Sequence, residues 1–101
     1  MSQPAGTLNL IQAKREEILQ IASKHGVRNI RVFGSFARGD ARPDSDIDFL
    51  MDSGQSTSSW FPAGLILDLE GLLGRHVEVV TEGGLNARIR DEVLREAVPV
   101  Q

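Results

Sequence analysis

Two segments in which apolar and polar residues alternate require a fold that contains a sheet. The first is VRNIRVFG, residues 27–34, built around Ile30 and Val32, and the second is DIDFLM, residues 46–51. Successive side chains of a strand point to opposite faces. The second strand therefore has one apolar face and one face that carries two carboxylates: Ile47, Phe49 and Met51 lie on the first, and Asp46, Asp48 and Leu50 on the other.

Apolar residues at helical spacing flank these strands. A helix is predicted over residues 8–25, where Gly26 serves as a left-handed stop. SFAR is expected to form one helical turn with Ser35 as its N-cap. A longer helix is predicted from Ser59 to Gly74. The remaining elements are a strand, HVEVVT, over residues 76–81 and a helix over about residues 85–97 that is closed by Pro99.

The composition fits one small protein domain. The chain has 101 residues, of which 41% are apolar and 25% are charged, so we expect a single domain over residues 1–101 with one core. It holds no cysteine, and no apolar run approaches the roughly 20 residues of a membrane span. No secretory leader is visible at its start. A cytoplasmic protein without membrane contact is therefore expected.

The charge of the chain bears on its partners. A net charge of −3 is unlike the basic surface of most nucleic-acid binders, so no direct nucleic-acid partner is expected. The charge is compatible with a nucleotide substrate, because bound divalent metal ions offset phosphate charge locally. A chain this short buries only about two-thirds of its unfolded surface. Association with a second copy or with another protein through a helix face is therefore left open.

Asp46 and Asp48 form the most distinctive pair in the sequence. If both lie in the strand, their side chains point the same way, with their Cα atoms about 7 Å apart. Carboxylates placed in this way can share Mg²⁺, which prefers oxygen ligands. Two such ions about 3.5–4 Å apart can hold both the attacking and the leaving oxygen of a phosphoryl displacement.

The connection before this strand offers groups that bind phosphate. Gly34 and Ser35 end one strand and begin a helical turn, where unpaired backbone N–H groups and a hydroxyl are available. Arg38 adds a guanidinium that can pair with two phosphate oxygens at once. An ordinary loop is the alternative, since these residue types are common in turns. Two aspartates in a short strand have poor strand propensity, however, which favours a ligand-binding role.

The stretch GSFARGDARPDSDIDFLM resembles the signature of the minimal nucleotidyltransferases, the small branch of the DNA-polymerase-beta-like nucleotidyltransferase superfamily. Their pattern is Gly-Ser-x-x-x-Gly, a short spacer, and then Asp-x-Asp preceded by Ser. The residues that match are Gly34, Ser35, Arg38, Gly39, Ser45, Asp46 and Asp48. The first helix, GLLGRHVEVVT and IRDEVLREAVPV extend the resemblance over nearly the whole chain.

The resemblance implies an α+β fold, the nucleotidyltransferase fold, with a three-stranded mixed sheet and flanking helices mostly on one side. It also implies a third carboxylate on the last strand, where the family normally has aspartate. Here the matching residue is Glu78, in VEVV. The extra methylene of glutamate shifts the carboxylate oxygens, and an error of about 1 Å can cost roughly a hundredfold in rate. The alternative for Glu78 is a strand residue that faces solvent.

By resemblance, the activity is transfer of AMP from ATP to an acceptor hydroxyl with release of pyrophosphate. Two Mg²⁺ ions would be held by Asp46, Asp48 and Glu78, and Glu78 would help to deprotonate the acceptor. Nucleotide binding would fall to Gly34, Ser35, Arg38, Gly39 and Ser45. Such proteins are often the antitoxins of toxin–antitoxin modules, where they adenylylate a tyrosine of a HEPN-type ribonuclease toxin.

Two other functions remain open from the sequence. One is a binding module with weak catalysis that neutralises its partner by contact alone, which the glutamate at position 78 keeps in view. The other is a small-molecule nucleotidyltransferase similar to the aminoglycoside-modifying enzymes. Transfer of label from ATP to a partner protein, and its dependence on Asp46, separates these functions from protein adenylylation.

Overall fold

The structure is a computed structural model that describes residues 8–40, 42, 44–53 and 61–100. The predicted N-cap Ser59 lies outside these residues. The helices are α1 (Leu8–Ala13), α2 (Arg15–Lys24), α3 (Ser35–Arg38), α4 (Ala63–Leu73) and α5 (Ala87–Glu96). The strands are β1 (Val27–Phe33), β2 (Ile47–Ser53), β3 (Val77–Thr81) and β4 (Val98–Pro99), and a 3-10 turn spans Glu82–Gly84.

The helix ends follow the glycine signals in the sequence. Gly26 has φ of 75° and Gly74 has φ of 67°, so both take up the left-handed conformation that favours glycine after a helix.

The first predicted helix is in fact two helices, because the backbone of Lys14 leaves helical geometry at φ −111° and ψ 14°. No helix in the described ranges is long and apolar enough to cross a membrane.

The four strands form one mixed sheet in the order β3-β2-β1-β4. Strand β1 pairs antiparallel with β2, whereas β3 runs parallel to β2. The connection lengths explain these directions, since a short connection can return an antiparallel strand but a parallel strand needs a long crossover. Here α3 lies in the short connection and α4 forms the crossover. The α+β fold is therefore confirmed, with one strand more than predicted.

The additional strand, β4, follows directly after α5. Val98 pairs with Val32 and Pro99 with Arg31 in antiparallel register with β1. Pro99 was expected only to close the last helix, and it lies instead in an edge strand, where its missing N–H leaves no ladder bond unmade. The pairing brings the C-terminal end of α5 beside the end of β1.

The main core lies between one face of the sheet and the helices. Its sheet side chains include Val32, Phe49 and Met51, and helices α2 and α4 contribute Ile18, Ala22, Leu65, Leu69 and Leu73. On the other face, Leu50 is fully buried and Val93 of α5 nearly so, although neither belongs to this cluster. Because β2 alternates, Asp48 shares this second face with Leu50, so the acidic residue lies away from the main core.

Candidate active site

Asp48 and Glu78 lie side by side on the second face of the sheet. Asp48 is the second residue of β2 and pairs in parallel register with Glu78 of β3. Register partners on neighbouring strands lie about 4.8 Å apart and point to the same face. Asp46 was expected inside the strand but lies one residue before it begins. The sheet therefore places Asp48 and Glu78 together, and Asp46 belongs to the connection that enters β2.

Asp48 has an unusual electrostatic environment. Burial and, after it, the charges of Glu78 and Asp46 together raise the pKa of Asp48 from 3.8 to about 6, against a lowering by Arg38. Burial penalises the ionised carboxylate, and nearby like charges add to that penalty. This corner of the protein therefore concentrates negative charge that a bound cation would relieve.

Gly34 lies directly against Asp48. Its φ of 77° and ψ of −149° fall in a region that is essentially reserved for glycine. A Cβ at this position would also collide with Oδ2 of Asp48. Glycine is therefore required here for both its backbone conformation and its lack of a side chain. Ser35, predicted to cap the short helix, is its first residue, and Gly34 occupies the cap position.

Arg38 is held near the same turn by two carboxylates. Its Nη1 donates to Oε1 of Glu96 at 2.8 Å, and its Nε donates to Oδ2 of Asp40 at 3.2 Å. The backbone N–H of Gly34 donates to the same oxygen of Glu96 at 2.9 Å. Mixed charges along a helix such as α5 are typical of a solvated face, but Glu96 reaches the glycine-serine turn. Only its position at the last residue of the helix, where a negative charge is disfavoured, hinted at this contact.

Ser45 and Gly39 shape the connection between β1 and β2. Gly39 has φ of 83° and ends α3. The hydroxyl of Ser45 accepts from the N–H of Arg42 at 2.7 Å, so it closes the turn that comes just before Asp46. Both residues lie in the connection that carries the signature. There Gly39 supplies a left-handed backbone conformation, and the Ser45 hydroxyl accepts a hydrogen bond from the backbone.

Arg75, which no sequence motif marks, holds this connection from the start of β3. Its Nη1 donates to the carbonyl oxygens of Arg42 at 3.2 Å and Ser45 at 3.1 Å. The guanidinium also lies 5.2 Å from the centroid of the Phe36 ring, within the range of a cation–π contact. Arg75 thus joins the start of β3 to the segment that leads into Asp46.

The comparison with protein families identifies the family of the chain. The family model of the nucleotidyltransferase domain matches residues 15–100. This range includes the signature, the acidic corner formed by Asp46, Asp48 and Glu78, and helix α5. The chain belongs to the nucleotidyltransferase domain family. The structural likeness agrees: a solved structure described as a candidate minimal nucleotidyltransferase is 46% identical, with a TM-score of 0.82, covering 94% of this chain and 97% of that chain.

Relatives of this nucleotidyltransferase carry a more specific name. Protein adenylyltransferase MntA of Thermococcus cleftensis is 39% identical over 92 residues, which are 91% of this chain and 90% of the relative. A Methanocaldococcus jannaschii protein, MJ0435, named as a candidate protein adenylyltransferase, is 38% identical over 93 residues, covering 92% and 99%. A solved toxin–antitoxin complex with AMP-PNP shares the fold, with a TM-score of 0.73 at 18% identity, covering 86% of this chain and 72% of that chain.

The acidic corner of this nucleotidyltransferase has the donor chemistry for a hard cation. Asp46, Asp48 and Glu78 offer only carboxylate oxygens, the ligands that Mg²⁺ prefers. Within residues 8–40, 42, 44–53 and 61–100, no three acidic, histidine or cysteine side chains already converge on one metal position. Asp46 and Glu78 are close enough to Asp48 to raise its pKa. A divalent ion bound between these carboxylates would offset their repulsion and bring them closer together.

Proposed function

We propose that this nucleotidyltransferase transfers AMP from ATP to a hydroxyl of a partner protein, and that the partner is a HEPN-type ribonuclease toxin which the transfer neutralises. The observation that carries the proposal is the contact between the Asp48 carboxylate and Gly34 of the signature turn, beside Glu78. It brings carboxylates that attract a cation next to a turn that carries the Ser35 hydroxyl and the Arg38 guanidinium. That juxtaposition suits a metal-bound triphosphate.

Asp46, Asp48 and Glu78 would hold two Mg²⁺ ions in this proposal. Bound there, the ions supply positive charge that offsets the triphosphate and the charge that develops on its oxygens. The raised pKa of Asp48 supports a cation in this position, since a positive charge would reverse the penalty on its ionised form. By the resemblance, Glu78 stands where the family normally has aspartate, and its register with Asp48 supports the same role for it.

The signature turn would hold the nucleotide. Gly34 and Ser35 would bind the outer phosphates, and Arg38 would offset their charge. Gly39 and Ser45 would support them by shaping the connection.

The reaction is a displacement at the α-phosphorus. The acceptor oxygen forms a bond to that phosphorus while the bond to the oxygen that bridges the α and β phosphates breaks. The electron pair leaves with pyrophosphate, and the acceptor proton passes to the carboxylate of Glu78. Positioning and electrostatic stabilisation supply most of the acceleration in transfers of this kind.

The proposed partner rests on the relatives. The Thermococcus cleftensis relative, at 39% identity, is named protein adenylyltransferase MntA, and a solved structure of MntA with HepT shares the fold with a TM-score of 0.66 at 16% identity. A tyrosine hydroxyl of a HEPN-type toxin is therefore the proposed acceptor. Since ATP is a cytoplasmic substrate, we propose the cytoplasm as the location of this reaction.

The experiment uses ATP labelled in its α-phosphate, Mg²⁺, and a purified HEPN-type ribonuclease toxin as the acceptor. Wild-type protein is expected to label the partner, and Asp46→Asn to abolish the label. Asp44→Asn is the matched control, because Asp44 is an exposed aspartate two residues earlier in the same connection. Neutralisation of the partner without label, unaffected by Asp46→Asn, would support neutralisation by contact instead.

A further inference from the structure

Glu96 occupies a position that local rules disfavour. It is the last residue of α5, where the helix dipole opposes a negative charge. Its side chain is only 19% exposed, although glutamate is usually a surface residue. A carboxylate that is mostly withdrawn from water needs hydrogen-bond partners. The hydrogen bonds of Glu96 to Gly34 and Arg38 therefore account for its burial at the end of α5.

One oxygen of Glu96 joins the two parts of the signature turn. Oε1 accepts from the N–H of Gly34 at 2.9 Å and from Nη1 of Arg38 at 2.8 Å. Both bonds involve a charged group and are therefore stronger than bonds between neutral partners. Gly34 and Glu96 are 62 residues apart in the sequence. The contact thus ties the closing helix to the end of β1.

The backbone that carries Glu96 is fixed on both sides. One turn earlier Val93 is buried, and its carbonyl accepts from the N–H of Ala97 at 2.9 Å. On the other side Val98 pairs with β1, and the N–H of Val100 donates to the carbonyl of Ile30 at 2.9 Å. Glu96 therefore acts on the turn from a rigid support.

We propose that Glu96 is a positioning residue for nucleotidyl transfer, which holds Gly34 against Asp48 and fixes the direction of Arg38. This role rests on the proposed function. Gly34 needs an external hold, because glycine has more backbone freedom than any other residue. Its close contact with Oδ2 of Asp48 means that a shift of the turn releases the carboxylate. Without Glu96, the one ion pair of Arg38 that remains among the described residues is that with Asp40.

The first test compares kinetic constants of Glu96→Ala and Glu96→Gln with those of the wild type, using α-labelled ATP and the partner. Glu96→Ala is expected to lower kcat/KM for ATP by about 10- to 100-fold, since displacement of catalytic groups by about 1 Å has effects of that size. The loss persists in kcat at saturating ATP because Asp48 is displaced. Glu96→Gln keeps an oxygen that accepts from Gly34, so its loss is expected to be smaller.

The matched control is Glu92→Ala, which removes an exposed glutamate one turn earlier on the same helix. It is expected to leave both constants unchanged. A second readout needs no nucleotide. The amide proton of Gly34, followed by NMR in the free protein, is expected to shift upfield in Glu96→Ala, less so in Glu96→Gln, and not at all in Glu92→Ala.

Two results would overturn the role of Glu96. One is transfer by Glu96→Ala at the wild-type rate. The other is tighter binding of a fluorescent ATP analogue by both variants, which would show that Glu96 competes with the nucleotide for Gly34 and Arg38. A wild-type protein that labels no partner would instead overturn the proposed function, while the Gly34 amide shift would still decide whether the hold exists.

Discussion

Asp48 and Glu78 are register partners on the parallel strands β2 and β3, so two carboxylates share one face of the sheet. Burial, followed by the charge of Glu78, raises the pKa of Asp48 to about 6. Such a pair is unfavourable for folding unless something offsets the repulsion. The arrangement indicates selection for a binding site rather than for stability.

Replacement of Glu78 tests its proposed part in the reaction. Glu78→Gln removes the charge and the proton acceptor with little change in shape, and we expect the rate of AMP transfer to fall by about 100-fold or more. Glu78→Asp restores the residue that the family normally carries and should retain activity. The measurement is label transfer from ATP at saturating Mg²⁺, with Glu17→Gln on the exposed side of α2 as control. Full activity in Glu78→Gln would remove Glu78 from the site.

The pKa of Asp48 predicts how stability depends on pH. Its folded value, about 6, lies above the ordinary 3.8, so the folded state binds the proton more tightly than the unfolded state does. This group therefore lowers stability as pH rises through that window. The shift alone would correspond to about 3 kcal/mol, but Asp48 is partly exposed, and solvent screening reduces this to about 1 kcal/mol.

The matching experiment is urea unfolding of the metal-free wild type and Asp48→Asn. At about pH 7 the variant is expected to be more stable by about 1 kcal/mol, and near pH 4 the difference should vanish because wild-type Asp48 is then largely protonated. Comparing the two proteins cancels the titration of carboxylates that do not interact with Asp48. A difference that is equal at both pH values would contradict the raised pKa.

Divalent metal should stabilise the folded protein. A ligand that binds only the folded state adds about 2.7 kcal/mol at a concentration of 100 times its Kd. We therefore expect Mg²⁺ to raise the Tm of the wild type and to have little effect on Asp46→Asn or Asp48→Asn. Differential scanning calorimetry with and without a chelator provides the measurement. An equal shift in Asp46→Asn and wild type would show that the ion binds elsewhere.

Gly34 should tolerate no side chain. Gly34→Ala forces alanine to a φ of 77° and drives its Cβ into the Asp48 carboxylate. Backbone strain of this kind costs about 1–3 kcal/mol, and we expect at least that loss in urea unfolding, together with loss of transfer. Gly71→Ala is the matched control. Gly71 lies inside α4 with open space around its Cβ position, so this change should stabilise by about 0.5–1 kcal/mol.

Most of the fold was predictable from local patterns. Alternation located β1 to β3, and the glycine stops at Gly26 and Gly74 ended α2 and α4, because these signals depend on residues close in sequence. Strand β4 was missed because two residues, Val98 and Pro99, are too few to show a period. The break at Lys14 also left no mark in the spacing of apolar residues.

The candidate site also has one part that local sequence patterns predict and one part that they do not. A short sequence motif contains Gly34 and Asp48, so their proximity could be anticipated. The contacts of Glu96 with Gly34 and of Arg75 with Ser45 join residues 62 and 30 positions apart. Charged residues on a helix or in a loop look alike in sequence whether they face solvent or a distant backbone group. Only the assembled sheet shows which of them reach the signature turn.

Arg75 provides a last test of how the site is held. It bonds the carbonyls of Arg42 and Ser45 and stacks on Phe36, so its loss should loosen the segment that carries Asp46. Arg75→Ala is expected to lower the rate of AMP transfer by about tenfold or more, in line with the effect of misplaced catalytic groups. Arg75→Lys keeps the charge but cannot reproduce a planar, stacked guanidinium, so it should rescue little.

The control is Arg42→Ala, which removes an exposed side chain of the same type from the same segment. Hydrogen exchange should rise at the amide of Ser45 in Arg75→Ala, because that amide closes the turn to Arg42. Unchanged exchange together with wild-type transfer would show that the connection holds its shape without Arg75.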